Sequence, residues 1–276
     1  MKFSVLIPSY EEKERLHNLL KTIIQDKLYF KIEKIVVVSP DKRLILPKSK
    51  KIVLIRERKR KGKCSAINLG LKKIRSKIVV MLSSDLIMRE NFLKLLLKHF
   101  KNRKTGMVVG RPKADKNSKV YPLSKIIWNL HHLLCVKEPK GTEICAFRKI
   151  FNYFPRVSAD EVFIEYKIRK HGLLVAYEPR AYGYTKTPYS LAQFFEQRKR
   201  AFLGHLFIKK RFRFITSSIK IKNLLRLFFW YLGNVKSAIE LLELLVLLHL
   251  ESIARIYAFF EFILFKKDKI MWKKIS

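Results

Sequence analysis

The sequence predicts an α/β protein with a mainly parallel, mixed sheet and flanking helices, and its first third carries this prediction. Continuous apolar runs at Phe3–Pro8, Ile35–Val38 and Ile78–Leu82 are typical of strands that are buried on both faces. The intervening segments Glu12–Gln25 and Ala66–Ile74 carry apolar residues at helical spacing. Strands that alternate with helices form parallel sheets, whose ligands lie beyond the carboxyl ends of the strands.

The middle of the chain predicts a second α/β unit after a less regular stretch. That stretch contains a helix-like piece around Ile126–Leu134 and a strand-like piece at Ile144–Arg148. Asp160–Lys170 then predicts a helix that ends near Gly172, and Leu173–Tyr177 predicts the strand that follows.

The composition changes after about Gly204, so we expect an α/β domain over residues 1–205 and a basic, helical region over residues 206–276. Ala238–Phe265 is apolar with five charges, and on a helical wheel these charges share an arc of about 120°. Such a helix is about 42 Å long, enough to cross a bilayer when the helix is tilted, or to lie in the bilayer surface. An ordinary amphipathic helix packed against the domain is the alternative.

A lysine cluster follows this apolar segment at once and favours association with a membrane. Its members are Lys266, Lys267, Lys269, Lys273 and Lys274. Each cation near anionic headgroups contributes about 1 kcal/mol of binding free energy. We therefore expect an anionic membrane as a partner, with the helix either embedded or spanning.

The charge balance points to anionic ligands. The 276 residues include 60 Lys and Arg against 22 Asp and Glu, a net charge of +38, which attracts nucleic acid, nucleotide phosphates or an anionic membrane. A nucleic-acid-binding protein is a rival interpretation. However, the chain has no recognition motif for it, and its aromatic residues lie mostly in apolar runs, so no specific nucleic acid is expected.

Two features favour a cytoplasmic location for the catalytic region. Cys64, Cys135 and Cys145 are far apart and form no CxxC pattern, which predicts neither a disulfide scaffold nor a zinc site. The first apolar run has six residues, fewer than the apolar core of a signal peptide.

Asp85 is the clearest candidate for metal binding. It follows the apolar run Ile78–Leu82, so it is expected in the ligand crevice at the carboxyl end of a strand, where oxygen ligands hold Mg²⁺ or Mn²⁺. The alternative is a carboxylate that caps a helix beginning at Leu86.

Three further segments offer groups for phosphate binding and proton transfer. Lys63 opens a helix and could face phosphates, or it is a solvated member of a basic run. Asp160 and Glu161 begin another helix, where one carboxylate could act as a general base, or both simply complement the helix dipole. Gln197 and Arg200 lie three residues apart, so they share a helical face and could grip a diphosphate together.

The order of these segments resembles the inverting family 2 glycosyltransferases of the GT-A fold over Phe3 to about His205. The similar stretches are Ser4–Glu12 and Ile35–Val38 for the first two strands, Gly62–Gly70 for the Gly-Lys segment, Val79–Asp85 for the Asp-x-Asp strand, Gly141–Arg148 for the acceptor-side segment, Asp160–Gly172 for the carboxylate pair, and Gln197–Arg200 for Gln-x-x-Arg.

This resemblance implies a role for each candidate. The residues implied to line the nucleotide pocket are Pro8, Tyr10, Glu12 and Ser39. Lys63 is implied near the base or the diphosphate, Asp85 and the neighbouring Ser83 at the metal and donor, and Gln197 with Arg200 at the diphosphate. The spacing of the motif implies that Glu161 is the general base, with Asp160 beside it. In the family, this base deprotonates the acceptor hydroxyl while the hydroxyl oxygen attacks the anomeric carbon, and the configuration of that carbon is inverted.

The chain departs from the family pattern at several places, among them Glu11 in place of the usual Asn and Ala201 in place of the Trp that often follows Gln-x-x-Arg. Ser83 replaces the first Asp of Asp-x-Asp, Ser39 and Pro40 replace an Asp pair, and the carboxylates read Asp-Glu rather than Glu-Asp. The expected function is transfer of a sugar from a nucleotide-sugar to a lipid-linked or polysaccharide acceptor at the cytoplasmic face of a membrane, with Mg²⁺ or Mn²⁺. A transferase-like scaffold that has lost catalysis is the alternative that Ser83 suggests.

Overall fold

The computed structural model describes residues 1–117 and 120–265, and it confirms the expected α/β class. The described residues contain one eight-stranded sheet in the order β3-β2-β1-β4-β7-β6-β8-β5. The strands are β1 Phe3–Pro8, β2 Ile32–Ser39, β3 Ile52–Arg56, β4 Ile78–Met81, β5 Ile87–Met88, β6 Thr105–Ala114, β7 Cys145–Arg148 and β8 Leu174–Thr185. The α-helices are α1 Glu14–Gln25, α2 Lys63–Leu71, α3 Phe92–Leu97, α4 Tyr121–Lys137, α5 Asp160–Lys170, α6 Leu191–Phe212, α7 Ile221–Leu232 and α8 Ala238–Phe265.

The strand directions decide which chain ends meet. β1 pairs in parallel with β2 and β4, β2 pairs in parallel with β3, and β6 pairs in parallel with β8. β7 runs antiparallel to both β4 and β6. The amino end of β7 therefore lies at the same edge of the sheet as the carboxyl ends of β1, β2, β4, β6 and β8. We call this edge the active edge.

The core lies in two layers, one on each face of the sheet. Successive strand side chains point to opposite faces, so Val5 and Ile7 pack towards α1 and α3, whereas Leu6 packs towards α2 and α5. Burial of apolar side chains on both faces explains why β1, β2 and β4 are continuous apolar runs.

Several elements differ from the sequence-based expectations. β8 extends to Thr185, well beyond the expected strand at Leu173–Tyr177, because β6 pairs with it along most of this length. No helix begins at Leu86; the segment after Asp85 forms β5, and α3 begins at Phe92. The expected domain boundary after residue 205 lies within α6, which continues to Phe212. The division into two domains stays a prediction.

α8 packs on α6 through a stripe that contains charged residues. The buried positions Leu244, Leu247, Ala254 and Ala258 lie on one face of α8, and Glu251 has the same spacing. Glu251 forms ion pairs with Arg198 of α6 and with Arg255, and Glu261 pairs with Lys199 of α6. Three of the five charges in the expected polar arc therefore form ion pairs within the described part of the protein, and a fourth, Glu240, accepts a hydrogen bond from the N–H of Lys236 at 2.9 Å.

Candidate active site

The active edge brings together residues that lie far apart in the sequence. Met81, the last residue of β4, is paired with Cys145, the first residue of β7. The chain leaving β4 towards Asp85 and the chain entering β7 through Glu143 therefore lie side by side. The same edge carries Lys186, just after β8.

The carboxylate of Asp85 is held in a fixed orientation at this edge. One oxygen accepts a hydrogen bond from the hydroxyl of Ser83, and the other accepts one from the backbone N–H of Lys186 at 2.9 Å. Because the next helix begins at Phe92, Asp85 does not cap a helix. The side chain is partly exposed, so a ligand in the crevice has access to it.

The residues implied for the nucleotide pocket surround the carboxyl ends of β1 and β2. Ser39 is fully buried at the end of β2, and its hydroxyl accepts a hydrogen bond from the N–H of Asp41 at 3.2 Å. Glu12 forms an ion pair with Nζ of Lys186 at 2.5 Å, which links this side of the edge to β8. The guanidinium of Arg60 lies over the Tyr10 ring, 3.8 Å from its centre. Pro8 ends β1 beside them.

Lys63 contacts the carboxylate pair across the crevice. It is the first residue of α2, and its Nζ lies 2.9 Å from Oδ2 of Asp160. Burial opposes the charge of this ammonium group, but Asp160 and Glu161 outweigh that effect and hold the pKa of Lys63 above its ordinary value. Asp160 itself is only 1% exposed. Of the two adjacent carboxylates, the buried one, Asp160, is therefore the one that Lys63 neutralises.

Glu161 is the more accessible carboxylate of the pair, and it is poised to change its charge near neutral pH. Burial, followed by the negative charge of Asp160, raises the pKa of Glu161 to about 7. Burial also lowers the pKa of Arg200 to about 10, although Glu161 and Glu196 favour its charged form. The charge of Glu161 acts on Arg200, so the guanidinium on α6 lies within electrostatic range of the carboxylate pair.

Two glycines allow the backbones around Glu161 to approach closely. A Cβ at Gly141 would lie 2.2 Å from the backbone oxygen of Glu161, and one at Gly204 would lie 2.4 Å from Oγ of Ser158. Gln197, Arg200 and Gly204 share one face of α6, because they are spaced three and four residues apart. The contact at Gly204 therefore turns Arg200, and Gln197 one turn before it, towards the start of α5.

Glu143 is a site residue that the sequence reasoning did not single out. Burial, followed by the charge of Asp85, raises the pKa of Glu143 to about 8, and its Oε1 is buried with no hydrogen-bond partner in the described part of the chain. The available signal was a carboxylate directly before the apolar run of β7. That signal places Glu143 in the crevice only if β7 is reversed, which the sequence does not reveal.

These side chains fit a divalent cation. Asp85 and Glu143 supply two carboxylates, the charge of Asp85 helps to raise the pKa of Glu143, and Oε1 of Glu143 has no hydrogen-bond donor among the described residues. The described residues contain no group of three or more His, Cys, Asp or Glu suited to a metal. Mg²⁺ needs only one or two carboxylates, because waters and substrate phosphates complete its coordination.

Comparisons with known proteins agree with this architecture. The family description "Glycosyl transferase family 2" matches residues 4–158, more than half of the chain. Among curated proteins, the poly-beta-1,6-N-acetyl-D-glucosamine synthase of Staphylococcus aureus (strain COL) is 23% identical over 216 residues, covering 71% of this chain and 52% of the relative. The synthase of Staphylococcus epidermidis is 22% identical over 244 residues, covering 80% of this chain and 58% of the relative. The chain thus spans little more than half the length of these relatives.

A solved structure shows the same fold. It is described as the mannosyltransferase PcManGT from Pyrobaculum calidifontis in complex with GDP-Man and Mn²⁺, and it is 17% identical in sequence. The superposition covers 96% of this chain and 88% of the other, with a TM-score of 0.66. This likeness confirms the expected GT-A architecture.

Proposed function

The chain belongs to glycosyl transferase family 2, and from that premise we propose that it transfers a sugar from a nucleotide-diphosphate sugar to an acceptor hydroxyl, with inversion at the anomeric carbon. The observation that carries the proposal is the convergence of Asp85, Glu143, Glu161 and Arg200 on one edge of the sheet. These residues come from four separate segments of the sequence. Their side chains supply the base and the charges that this transfer requires.

Glu161 is the proposed general base. Its carboxylate is more exposed than that of Asp160, and Lys63 already neutralises Asp160 at 2.9 Å. A base whose pKa is near 7 is ionised in part at neutral pH and still accepts a proton readily. Glu161 removes the proton of the acceptor hydroxyl as the oxygen bonds to the anomeric carbon, and the bond from that carbon to the nucleoside diphosphate breaks.

The departing diphosphate needs positive partners. Arg200 reaches the carboxylate pair from α6, and Gln197 lies on the same face of that helix. Asp85, with Glu143, would hold Mg²⁺ or Mn²⁺, which when bound neutralises the negative charge that grows on the diphosphate. The likeness in fold to a mannosyltransferase described with GDP-Man and Mn²⁺ supports this assignment. Glu12, Tyr10, Pro8 and Ser39 form the wall on which we place the nucleoside.

We also propose that α7 and α8 bind a membrane surface. Within the described residues, no helix combines the length and the hydropathy needed to cross a bilayer. α8 turns charged side chains towards α6 and leaves large apolar ones exposed, including Ile239 (70%), Leu242 (62%) and Phe260 (57%). On α7, Ile221 and Phe229 are exposed in the same way. Contiguous exposed apolar surface of this kind is typical of membrane or protein contacts.

The surroundings of these helices favour anionic lipid as the partner. Lys220, Lys222 and Arg226 lie on or beside α7. The lysine cluster expected to assist them lies at 266–276, outside the described residues. A cytoplasmic membrane face and a lipid-linked or polysaccharide acceptor complete the proposal. The names of the Staphylococcus relatives, which are polysaccharide synthases, support a glycan acceptor.

The proposed reaction is tested by incubating membranes that contain the full chain with labelled UDP- and GDP-sugars. We expect one donor to label lipid or glycan product in the presence of Mn²⁺ or Mg²⁺. Asp85→Ala should abolish the labelling. The control Asp26→Ala removes a carboxylate at the end of α1, outside the proposed site, and should not. Equal labelling by wild type and Asp85→Ala would contradict the site assignment.

A transferase-like scaffold without activity is the second candidate, because Ser83, which donates a hydrogen bond to Asp85, stands where the family pattern has a carboxylate. Calorimetric titration with UDP, GDP and Mn²⁺ distinguishes the two. The enzyme is expected to bind a metal-nucleotide complex, and a dead scaffold has no need of one.

A further inference from the structure

A cluster of three cations lies beside the active edge and has no role in the mechanism above. It consists of Arg89 after β5 and of Arg111 and Lys113 on β6, around the rings of Tyr182 and Tyr184 on β8. We call this cluster the cation shelf. Arg111 is paired in the sheet with Tyr182, and Lys113 with Tyr184, so all four side chains share one face. Nζ of Lys113 lies 3.7 Å from the centre of the Tyr182 ring, and the guanidinium of Arg89 lies 5.7 Å from it.

The shelf holds positive charge that the protein does not compensate. In the described part of the chain, its three cations form neither an ion pair nor a side-chain hydrogen bond. Burial, followed by the neighbouring Arg111, lowers the pKa of Lys113, and Arg89 acts in the same direction. Arg111 and Lys113 also help to lower the pKa of His132 on α4, after burial of that ring. The cluster therefore repels itself in the absence of an anion.

Other partly buried cations near the edge are paired. Arg15 pairs with Asp115, and Lys186 pairs with Glu12. Farther back along β8, Lys98 and the exposed Arg180 both pair with Glu178. None of the three shelf cations has such an ion-pair partner among the described residues, although Glu90 lines the adjoining cavity.

The shelf adjoins the segment that holds Asp85. Tyr184 precedes Lys186 by two residues, and the N–H of Lys186 binds Asp85. Two residues of a strand span about 7 Å. A cavity of about 350 Å³ lined by Arg89, Glu90, Asn91, Arg180 and Tyr182 adjoins the shelf. The shelf is separated from the nucleotide wall at β1 and β2 by β4 and β7, so it lies on the other side of the crevice from the proposed donor site.

We propose that the cation shelf binds the phosphate attached to the accepting sugar, so that the acceptor is a sugar phosphate. The proposal rests on the transferase function and specifies its acceptor. Guanidinium groups bind phosphate oxygens through paired hydrogen bonds, and the ammonium group adds a point charge. The phosphate occupies the shelf, and the sugar bound to it extends its hydroxyl towards Glu161. The same phosphate chemistry occurs in a soluble sugar phosphate and in a lipid-linked phosphodiester.

The test measures acceptor binding in the absence of donor. The full chain is titrated calorimetrically with glucose 1-phosphate, with its decyl phosphodiester and with uncharged decyl glucoside. The double variant Arg111→Gln, Lys113→Gln is expected to weaken binding of the phosphorylated probes at least tenfold. The matched control Lys21→Gln, Lys34→Gln removes two exposed cations elsewhere and should change binding less than twofold.

The probes separate the two sources of phosphate. Tighter binding of the decyl phosphodiester than of glucose 1-phosphate supports a lipid-linked acceptor, and equal binding supports a soluble one. Decyl glucoside that binds as tightly as the phosphodiester would overturn the proposal. Equal weakening by the control variant would also overturn it, because the effect would then reflect total charge.

Two further measurements protect the test. Arg89→Gln alters an exposed side chain without disturbing the core, and it should weaken phosphate binding at least threefold even if the double variant folds poorly. UDP or GDP with Mn²⁺ should bind the double variant as it binds wild type; displacement of glucose 1-phosphate by these nucleotides would assign the phosphate to the donor site and overturn the proposal. Nucleotide binding that fails while shelf-dependent phosphate binding persists would contradict only the transferase function.

Discussion

The active edge and the interface between α6 and α8 both enclose charged side chains, but the protein treats the charges in opposite ways. At the edge, burial and neighbouring acids raise the pKa of Glu161 to about 7 and that of Glu143 to about 8. At the helix interface, burial would raise the pKa of Glu251, yet Arg198 and Arg255 outweigh it and lower that pKa. The edge leaves Glu161 and Glu143 poorly compensated, whereas the interface neutralises Glu251.

This difference distinguishes the carboxylates that we assign to the reaction from those that hold two helices together. A poorly compensated carboxylate gains a proton, or a cation, at little cost, which suits a base or a metal ligand. A fully paired carboxylate has nothing further to bind and instead fixes one helix against another. The comparison predicts that substitutions at the edge change the reaction more than the stability, and that substitutions at the interface do the reverse.

The largest effect is expected from Glu161→Gln. The amide keeps the shape of the side chain but cannot accept the proton, so the turnover rate should fall by about 10³-fold. Nucleotide affinity should remain within about threefold of wild type, since Arg200 and Asp85 are unchanged. Steady-state kinetics with the identified donor, together with calorimetry, measures both quantities.

Glu33→Gln is the matched control for Glu161→Gln, because Glu33 is an exposed carboxylate on β2.

The carboxylates read Asp-Glu rather than Glu-Asp, so Asp160→Asn tests which of the two is the base. It should leave Lys63 without its partner and lower stability. If Asp160→Asn lost turnover with an intact fold while Glu161→Gln retained it, the base would be Asp160.

The next effect concerns pH. Glu161 must be ionised to act as a base, so the rate should rise about tenfold for each pH unit below about 7 and level off above it. A raised carboxylate pKa also means that the folded state favours the protonated form, so this group contributes stability that is lost as pH rises from about 4.5 towards 7. Glu161→Gln should remove the dependence of the rate and reduce the dependence of the stability, because Glu143, whose pKa is raised to about 8, loses stability over the same range. A rate that stays flat between pH 5.5 and 7.5 in the wild type would contradict the assignment.

The strands that could be predicted from the sequence are those that are buried on both faces, because such burial requires a continuous run of apolar residues. β1, β2 and β4 are apolar on both faces, so they stand out as runs. β3 lies at the rim with partly exposed residues, and β5 has two residues, so neither produces such a run. The direction of β7 depends on long-range pairing, which is why Glu143 was not found.

The helical wheel of α8 illustrates the same limit. The sequence correctly groups Glu251, Arg255 and Glu261 on one arc, and the structure shows them in contacts with each other or with α6. Whether this charged face of α8 packs against the protein or faces solvent depends on the cations Arg198 and Lys199 on α6. Periodicity within one segment carries no information about them.

A smaller effect is expected at the helix interface. Glu251→Gln leaves Arg198 without a carboxylate in a partly buried site and should lower the free energy of unfolding by about 2 kcal/mol. A lowered carboxylate pKa contributes stability that is present above pH 4.5 and lost as pH falls. The difference between wild type and variant should therefore shrink on acidification. Urea unfolding at pH 7 and pH 4 measures it.

Glu243→Gln is the control on the same helix, since Glu243 forms no ion pair with any described residue. It should change the free energy of unfolding by less than about 0.5 kcal/mol. A loss of transfer activity in Glu251→Gln that exceeds its loss of stability would weaken the contrast between the two regions.

The smallest effect on stability, and a clear one on location, is expected on the outer face of α8. Leu242 and Phe260 are 62% and 57% exposed, so Leu242→Ser with Phe260→Ser should leave the free energy of unfolding within about 0.5 kcal/mol of wild type. Leu247→Ser, at a position that is 1% exposed on the packing stripe, should instead lower it by about 3 kcal/mol.

Vesicle sedimentation separates the two faces further. An apolar side chain that enters lipid contributes about 1.5–3 kcal/mol, so the outer double variant should bind phosphatidylglycerol-containing vesicles at least about tenfold more weakly than wild type. Wild type should also prefer these vesicles to neutral phosphatidylcholine, because of the basic residues around α7. Unchanged binding of the folded double variant would show that the exposed apolar face serves another partner. The packing of the charged face of α8 against α6, which leaves its apolar face exposed, would then have to be explained by that partner rather than by lipid.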